Sequence, residues 1–274
     1  MNKIGLLAGS GKLPLLFATK CKEKIITVAI KRITSPKISR KTLFTYWLPL
    51  NQVDKCIDLF KKEGIKEVIA LGKFDKRFSF DRSLKKFSLS SVLSELEDGM
   101  DLSFFNLFSN LLKREGIRLI SPLKYLSSYL TKEGTLSLRY PSDKEWEDLR
   151  FGYKMAKKIA DLDIGQTIVV KNLTILAMET IEGTDKTILR GGKYGKGGVT
   201  VVKVARTNQD MRFDIPLVGL QTLKTLIKAK GNVLGLEAGK VLLIEKEEMV
   251  KLANKKRISI IGFKDNTGGN YERN

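Results

Sequence analysis

Histidine is absent from the 274 residues, and Cys21 and Cys56 are the only thiols. The first absence removes Ser-His-Asp and Cys-His nucleophile systems, His-rich dinuclear metal centres and imidazole acid–base chemistry together. Any catalysis has to use carboxylates, Lys, Arg, hydroxyls, backbone amides or a metal held by oxygen. The shortage of cysteine, with no CxxC pair and no zinc spacing, argues against a disulfide framework or structural zinc and favours a reducing compartment. No uninterrupted apolar run is long enough to span a bilayer. Gly9, Ser10, Gly11 and Lys12 break the N-terminal apolar run too early for a signal peptide. A soluble, cytoplasmic protein is expected.

Acidic residues are also scarce, 30 against 50 basic ones, which leaves a net charge of +20. That excess attracts anions: nucleic acid, phosphorylated metabolites or an acidic membrane surface. It does not choose among them, and much of it is Lys scattered along helical stretches such as "KKEGIKE" and "MAKKIAD". The length suggests two domains, each able to bury its own core.

What is present reads first as alternating strand and helix. "KIGLLAG" is a short buried strand ending in Gly9-Ser10-Gly11, with a helix from about Leu13 to Lys22 behind it. "KIITVAI" and "LFTYWLPL" give further strands. "NQVDKCIDLFKKEG" has apolar residues at Val53, Ile57 and Phe60 with Gly64 as a stop, and "EVIALG" is a strand ending at Gly72. This predicts a Rossmann-like parallel sheet covered by helices. Residues from Lys73 to about Ser94 show no clear period. Leu102 to Gly116 forms an amphipathic helix, and "IRLISP" a strand. Ser142 followed by Glu145 three positions later signals a helix start. The expected division is therefore a Rossmann-like N-terminal domain at 1–133, a distinct mixed α/β C-terminal domain at 134–264 and a disordered tail at 265–274, and two such domains offer an interdomain cleft for a ligand.

In the second half, "QTIVVKNLTILAMET" predicts two strands around a turn at Asn172. "EGTDKTILRGGKYGKGG" predicts a helix start flanked by a long Gly- and Lys-rich loop, with Thr184 or Asp185 as its cap. Strands at "VTVVKVA", "VLGLEAG", "VLLIE" and "ISIIGF" and helices at "LQTLKTLIKAKG" and "KEEMVKLANKK" complete the pattern.

Three groups of residues can carry chemistry. Gly9-Ser10-Gly11 is a candidate anion cradle, because small residues let backbone amides near a helix N-terminus approach a phosphate; a plain tight turn would look the same. Glu179, Glu182 and Asp185 are oxygen ligands for a hard cation such as Mg²⁺, or simply part of a helix cap. "QDMRFDIP" places Asp210, Arg212 and Asp214 at alternate positions, which on a strand puts all three on one face. There Arg212 separates two acids, or it binds a phosphate while one Asp serves a metal or the attacking water. Lys203 in the preceding strand adds a positive charge.

"GLLAGSGKLP", "EGTD", "VVKVA", "QDMRFDIPLVG" and "LGLEAGKVLLIE", occurring in this order over about residues 3 to 263, together resemble the UDP-2,3-diacylglucosamine pyrophosphatase family. The kind meant is the Mg²⁺-dependent one unrelated to calcineurin-like phosphoesterases. The resemblance implies hydrolysis of UDP-2,3-diacylglucosamine to UMP and 2,3-diacylglucosamine 1-phosphate in lipid A synthesis. It also implies an acidic catalytic position at Asp214 or Asp210, with Asp214 favoured. Arg212 and Lys203 are then expected to offset phosphate charge. Substrate binding is expected at Gly9, Ser10, Gly11, Gly72, Thr184 and Gln209, and Mg²⁺ at some of Glu179, Glu182, Asp185, Asp210 and Asp214. Peripheral contact with the inner membrane and a homodimer are implied as well, and Phe104, Phe105 and Phe108 are candidates for an acyl groove or for ordinary core. A nucleic-acid-binding protein and a non-catalytic nucleotide-sugar sensor are the alternatives. The first finds no RNA- or zinc-finger-type motif in support, so no nucleic-acid partner is expected.

Overall fold

The computed structural model describes residues 3–72, 108–212 and 214–264. They fall into two compact units, one comprising residues up to Ser127 together with Met211 and Arg212, the other Ser128–Asp210 and the chain from Asp214 onward. The sequence readings for Lys73–Ser94, for Phe104 and Phe105 and for the tail at 265–274 lie outside the described residues.

The first unit is built on β1 (Lys3–Ala8), β2 (Lys24–Ile30), β3 (Phe44–Leu48), β4 (Glu67–Leu71) and β5 (Arg118–Leu119). They form one sheet in the order β3-β2-β1-β4-β5, with every pair parallel. The first two strands are buried on both faces, as continuous apolar runs such as IGLLA and IITVAI require. Helix α1 (Leu13–Lys20) follows β1, and a 3₁₀ turn, Leu50–Lys55, leads into α2 (Cys56–Lys62). Leu7, Ile26, Val28, Val68 and Ala70 from the sheet pack with Phe60, Ile65 and Leu112. Residues 108–114 are helical, and Phe108 is part of this core. Helix α3 (Leu123–Leu126) closes the unit.

The second unit has a six-stranded sheet of β6 (Gly134–Thr135), β7 (Thr167–Lys171), β8 (Thr174–Met178), β9 (Thr200–Lys203), β11 (Val233–Glu237) and β13 (Ser259–Phe263), ordered β6-β13-β11-β9-β7-β8. The three central strands, β13, β11 and β9, are parallel, whereas β7, β8 and β6 add antiparallel pairs. A separate parallel pair joins β10 (Leu217–Val218) to β12 (Leu242–Leu243). Helices α4 (Asp143–Asp161), α5 (Thr184–Gly195), α6 (Leu220–Lys228) and α7 (Lys246–Lys256) cover the large sheet. Alternate strand residues feed two cores. Val169, Val201 and Leu234 pack with Ile188, Leu223 and Leu226 on one side; Ile168, Val170 and Val202 pack with Leu149, Tyr153 and Ala156 on the other. Both units are thus α/β, one wholly parallel and one mixed.

The helix start at Ser142 is a capping box: the Glu145 amide donates to Ser142 Oγ and the Ser142 amide to Glu145 Oε2. Such a cap contributes about 1 kcal/mol. Burial pushes the Glu145 carboxyl up, but the Ser142 amide, Arg139 and Asn232 together hold it below its usual value. Asp148, also buried, accepts from the amides of Asn172 and Leu173, and so fixes the left-handed turn between β7 and β8.

Two local expectations are corrected. The glycine- and lysine-rich stretch is not a loop, because α5 runs on to Gly195. A Cβ on Gly191 would lie 2.5 Å from Val169, and one on Gly192 would lie 2.5 Å from Ala229. These glycines therefore let the helix approach the sheet and α6 closely. Its N-cap is Gly183, at φ 82, and neither Thr184 nor Asp185 caps it by a side chain. Nor is "QDMRFDIP" a strand: the Asp214 amide donates to the Asp210 carbonyl over 3.3 Å, closing a turn. Its polar–apolar alternation does not follow sheet faces. Met211 and Arg212 belong to the first unit, where the Met211 carbonyl accepts from Ser121 Oγ and Arg212 Nη1 donates to Ser109 Oγ.

Candidate active site

In the first unit the chain reverses its order between β1 and β4, and ligands of parallel sheets gather outside the strand ends at such a switch point. Gly9 and Ser10 follow β1 there, and Gly72 follows β4. The Gly9 amide donates to the Leu71 carbonyl over 2.7 Å. Gly72 has φ +100, and a Cβ on it would lie 2.6 Å from the Ser10 carbonyl oxygen and 2.7 Å from the Gly9 carbonyl carbon. Only glycine meets both conditions. Gly11, at φ +94, faces open space, and Lys12 is the N-cap of α1. The structure therefore brings Gly9, Ser10 and Gly72 together, backbone against backbone.

In the second unit, the antiparallel addition of β7 and β8 places the start of β7 beside the carboxyl ends of β8 and β9. Lys203 ends β9 and is 7% exposed. Burying its ammonium requires compensating partners. Its Nζ donates to Thr184 Oγ1 at 2.7 Å and to Thr167 Oγ1 at 3.4 Å, and lies 3.7 Å from Glu179 Oε2. Thr184 in turn donates to Glu179 Oε1 at 2.8 Å. Glu179, Thr184 and Lys203, far apart in sequence, thus form one group. Glu182 is engaged elsewhere. It accepts from Thr180, Arg190 and Thr187, and the Thr180 hydroxyl and the Arg190 guanidinium hold its carboxyl below the usual range.

Asp214 stands at the same end of the sheet. Its Oδ2 accepts from Arg206 Nη2 at 2.7 Å and from Gln209 Nε2 at 2.6 Å. Gln209 is held by Gln166, which precedes β7, and by the Arg206 amide. Asp210 shares the turn with Asp214 but is joined to it through backbone. Behind these residues, Glu237 ends β11 as a buried carboxylate that accepts from Tyr153, Lys157 and the Ala205 amide. That last bond anchors the chain between Lys203 and Arg206.

Among the described residues, no group of three or more Asp, Glu, Cys or His side chains is arranged to hold a metal. Mg²⁺, however, is commonly bound through one or two carboxylates together with substrate phosphates and water. Asp185 fits that mode, since its Oδ1 is buried beside Thr184 without a hydrogen-bond partner among the described residues. Glu179 lies one residue beyond Thr184 in the hydrogen-bond chain. Glu182, whose oxygens already accept from Arg190 and two threonines, fits poorly.

Arg206, Gln166, Thr167, Lys157 and Glu237 were not singled out by the sequence. Glu237 leaves one trace there, a carboxylate closing the apolar run "VLGLE". The others become visible only when the antiparallel β7 is laid against β9.

Residues 3–129 match the family model of the LpxI N-terminal domain, and residues 132–261 match that of the LpxI C-terminal domain. A UDP-2,3-diacylglucosamine pyrophosphatase LpxI from Caulobacter vibrioides is 25% identical over 280 aligned positions, which span 96% of this chain and 98% of that protein. Among solved structures, the biotin carboxylase domain of the Hydrogenobacter thermophilus 2-oxoglutarate carboxylase is 14% identical. It covers 73% of this chain and 37% of its own at a TM-score of 0.28. The corresponding domain of a thermophilic 2-oxoglutarate carboxylase, 13% identical, covers 62% and 35% at 0.29. Likeness at that level carries no argument about fold or function.

Proposed function

The chain belongs to the LpxI family, and on that footing we propose that it hydrolyses UDP-2,3-diacylglucosamine to UMP and 2,3-diacylglucosamine 1-phosphate in lipid A synthesis. The observation that carries the reading is the polar group at the strand ends of the second unit. A buried ammonium, Lys203, and a half-exposed carboxylate, Asp214, stand there with their hydrogen-bonding partners fixed.

Hydrolysis of a diphosphate needs a positioned water and neutralisation of charge on the non-bridging oxygens. Asp214 orients the water and takes its proton as the oxygen attacks phosphorus, so no histidine and no protein nucleophile are required. Lys203 and Arg206 offer positive charge to the phosphoryl oxygens, and Lys203 does so from a desolvated position, where such charge acts most strongly. Asp185 and Glu179 would hold Mg²⁺ together with substrate oxygens. When bound, Mg²⁺ supplies further charge neutralisation of the diphosphate. In the first unit, the loops at Gly9, Ser10 and Gly72 bind the phosphate or nucleotide portion. The net charge of +20 favours contact with an anionic leaflet, where a diacylated substrate resides.

The test is incubation of purified protein with UDP-2,3-diacylglucosamine and Mg²⁺. UMP release is expected, with kcat falling at least ~10²-fold in Asp214→Ala, a loss typical of a missing acid–base group. Tight binding of the nucleotide sugar without UMP release would replace the enzyme reading with that of a sensor.

A further inference from the structure

Asp214 is held by one oxygen only. Both donors, Arg206 Nη2 and Gln209 Nε2, reach Oδ2, while Oδ1 has no hydrogen-bond partner among the described residues. The orientation of the Gln209 amide follows from its surroundings. Its Oε1 lies 3.1 Å from the Arg206 backbone nitrogen, which can only donate, so the oxygen must face that way and the NH₂ group must face Asp214. The same NH₂ donates to the Asp214 carbonyl at 2.6 Å, and so grips both side chain and backbone. Gln166 Nε2 donates to Gln209 Oε1 at 2.8 Å, and the Gln166 carbonyl is pinned by the Val204 amide at the exit of β9. Arg206 is oriented from its other side by Asp163, 2.9 Å from Nη1.

We propose that Gln166 and Gln209 form a relay that positions the Asp214 carboxylate, tying down Oδ2 so that Oδ1 is the oxygen presented to the attacking water. This inference rests on the reading of Asp214 as the group that activates water. Gln209 acts as a positioning residue through Asp214, and Gln166 acts through Gln209. The relay couples the carboxylate to the rigid junction of β7 and β9, the same junction that holds Lys203. Acid and ammonium are therefore set on one frame, although Asp214 itself stands on an irregular turn.

The test is steady-state hydrolysis of UDP-2,3-diacylglucosamine by Gln166→Leu, Gln209→Leu, their double variant, Gln209→Glu and Asp214→Ala, with melting temperatures in parallel. In Gln209→Glu one oxygen still accepts from Arg206 and Gln166, but the other meets Asp214 Oδ2 as acceptor against acceptor. That nearly isosteric change is expected to lower kcat by ~10²-fold, as displacement of a reacting group by about 1 Å does. Gln209→Leu and Gln166→Leu each lower it ~10-fold with KM within ~3-fold. The double variant falls no further than Gln209→Leu alone, because Gln166 reaches Asp214 only through Gln209. An inactive Asp214→Ala beside a Gln209→Glu with wild-type kcat overturns the relay alone. So do losses in the two leucine variants that multiply, or losses that follow melting temperature. An active Asp214→Ala overturns the relay together with the reading beneath it.

Discussion

The strand ends of the two units differ in what they expose. In the first, the loops after β1 and β4 approach each other through Gly9, Ser10 and Gly72, and what they offer is backbone. In the second, the ends of β8, β9 and β11 carry Glu179, Lys203 and Glu237, each buried or partly buried and each held by partners from other elements. A surface of amides can bind an anion without changing its protonation or charge. A surface of fixed charges can stabilise a transition state. On the proposed function, affinity falls chiefly to the first unit and turnover chiefly to the second.

Removal of the buried ammonium should separate the two most strongly. Lys203→Met is expected to lower kcat by ~10²–10³-fold while substrate affinity changes little, as loss of a preorganised charge does. Steady-state kinetics beside direct binding checks this. Gly72→Ala is expected to act on the other parameter. The new methyl group meets the Ser10 carbonyl, and the residue keeps a φ of +100, a strain of about 1–3 kcal/mol. KM should rise ~10-fold or more with kcat nearly unchanged. The smallest effect belongs to Glu182→Gln. Its carboxylate serves Arg190 and neighbouring threonines, so hydrolysis and the Mg²⁺ concentration for half-maximal rate should both stay within ~3-fold of wild type. A tenfold shift in the Mg²⁺ requirement would restore Glu182 as a metal ligand.

The difference between the units also marks how far the sequence could be read. In the first unit, β1 and β4 stand out as apolar runs that end at glycine, and the chemistry of their ends is local, so Gly9, Ser10 and Gly72 are visible as strand terminators. The capping box at Ser142 is equally local and equally plain. The second site is assembled by an antiparallel insertion: Thr167 and Gln166 meet Lys203 and Gln209 only after β7 has turned against β9, and no spacing in the chain encodes that pairing. Two segments misled for a related reason. Glycines in "RGGKYG" signal a loop by propensity, yet close packing against Val169 and Ala229 overrides that preference. In "QDMRFDIP", polar–apolar alternation reads as a strand with two faces, yet the Asp214 amide bonds the Asp210 carbonyl and the chain turns instead of extending.

Parallel measurement of UDP-2,3-diacylglucosamine affinity and single-turnover hydrolysis in Gly72→Ala and Asp214→Ala tests the division of labour most directly. The expected result is a crossover: weakened binding with near-normal hydrolysis of bound substrate in Gly72→Ala, and near-normal binding with hydrolysis reduced at least ~10²-fold in Asp214→Ala. Hydrolysis at the wild-type rate in Asp214→Ala, or loss of the same parameter in both variants, would contradict it.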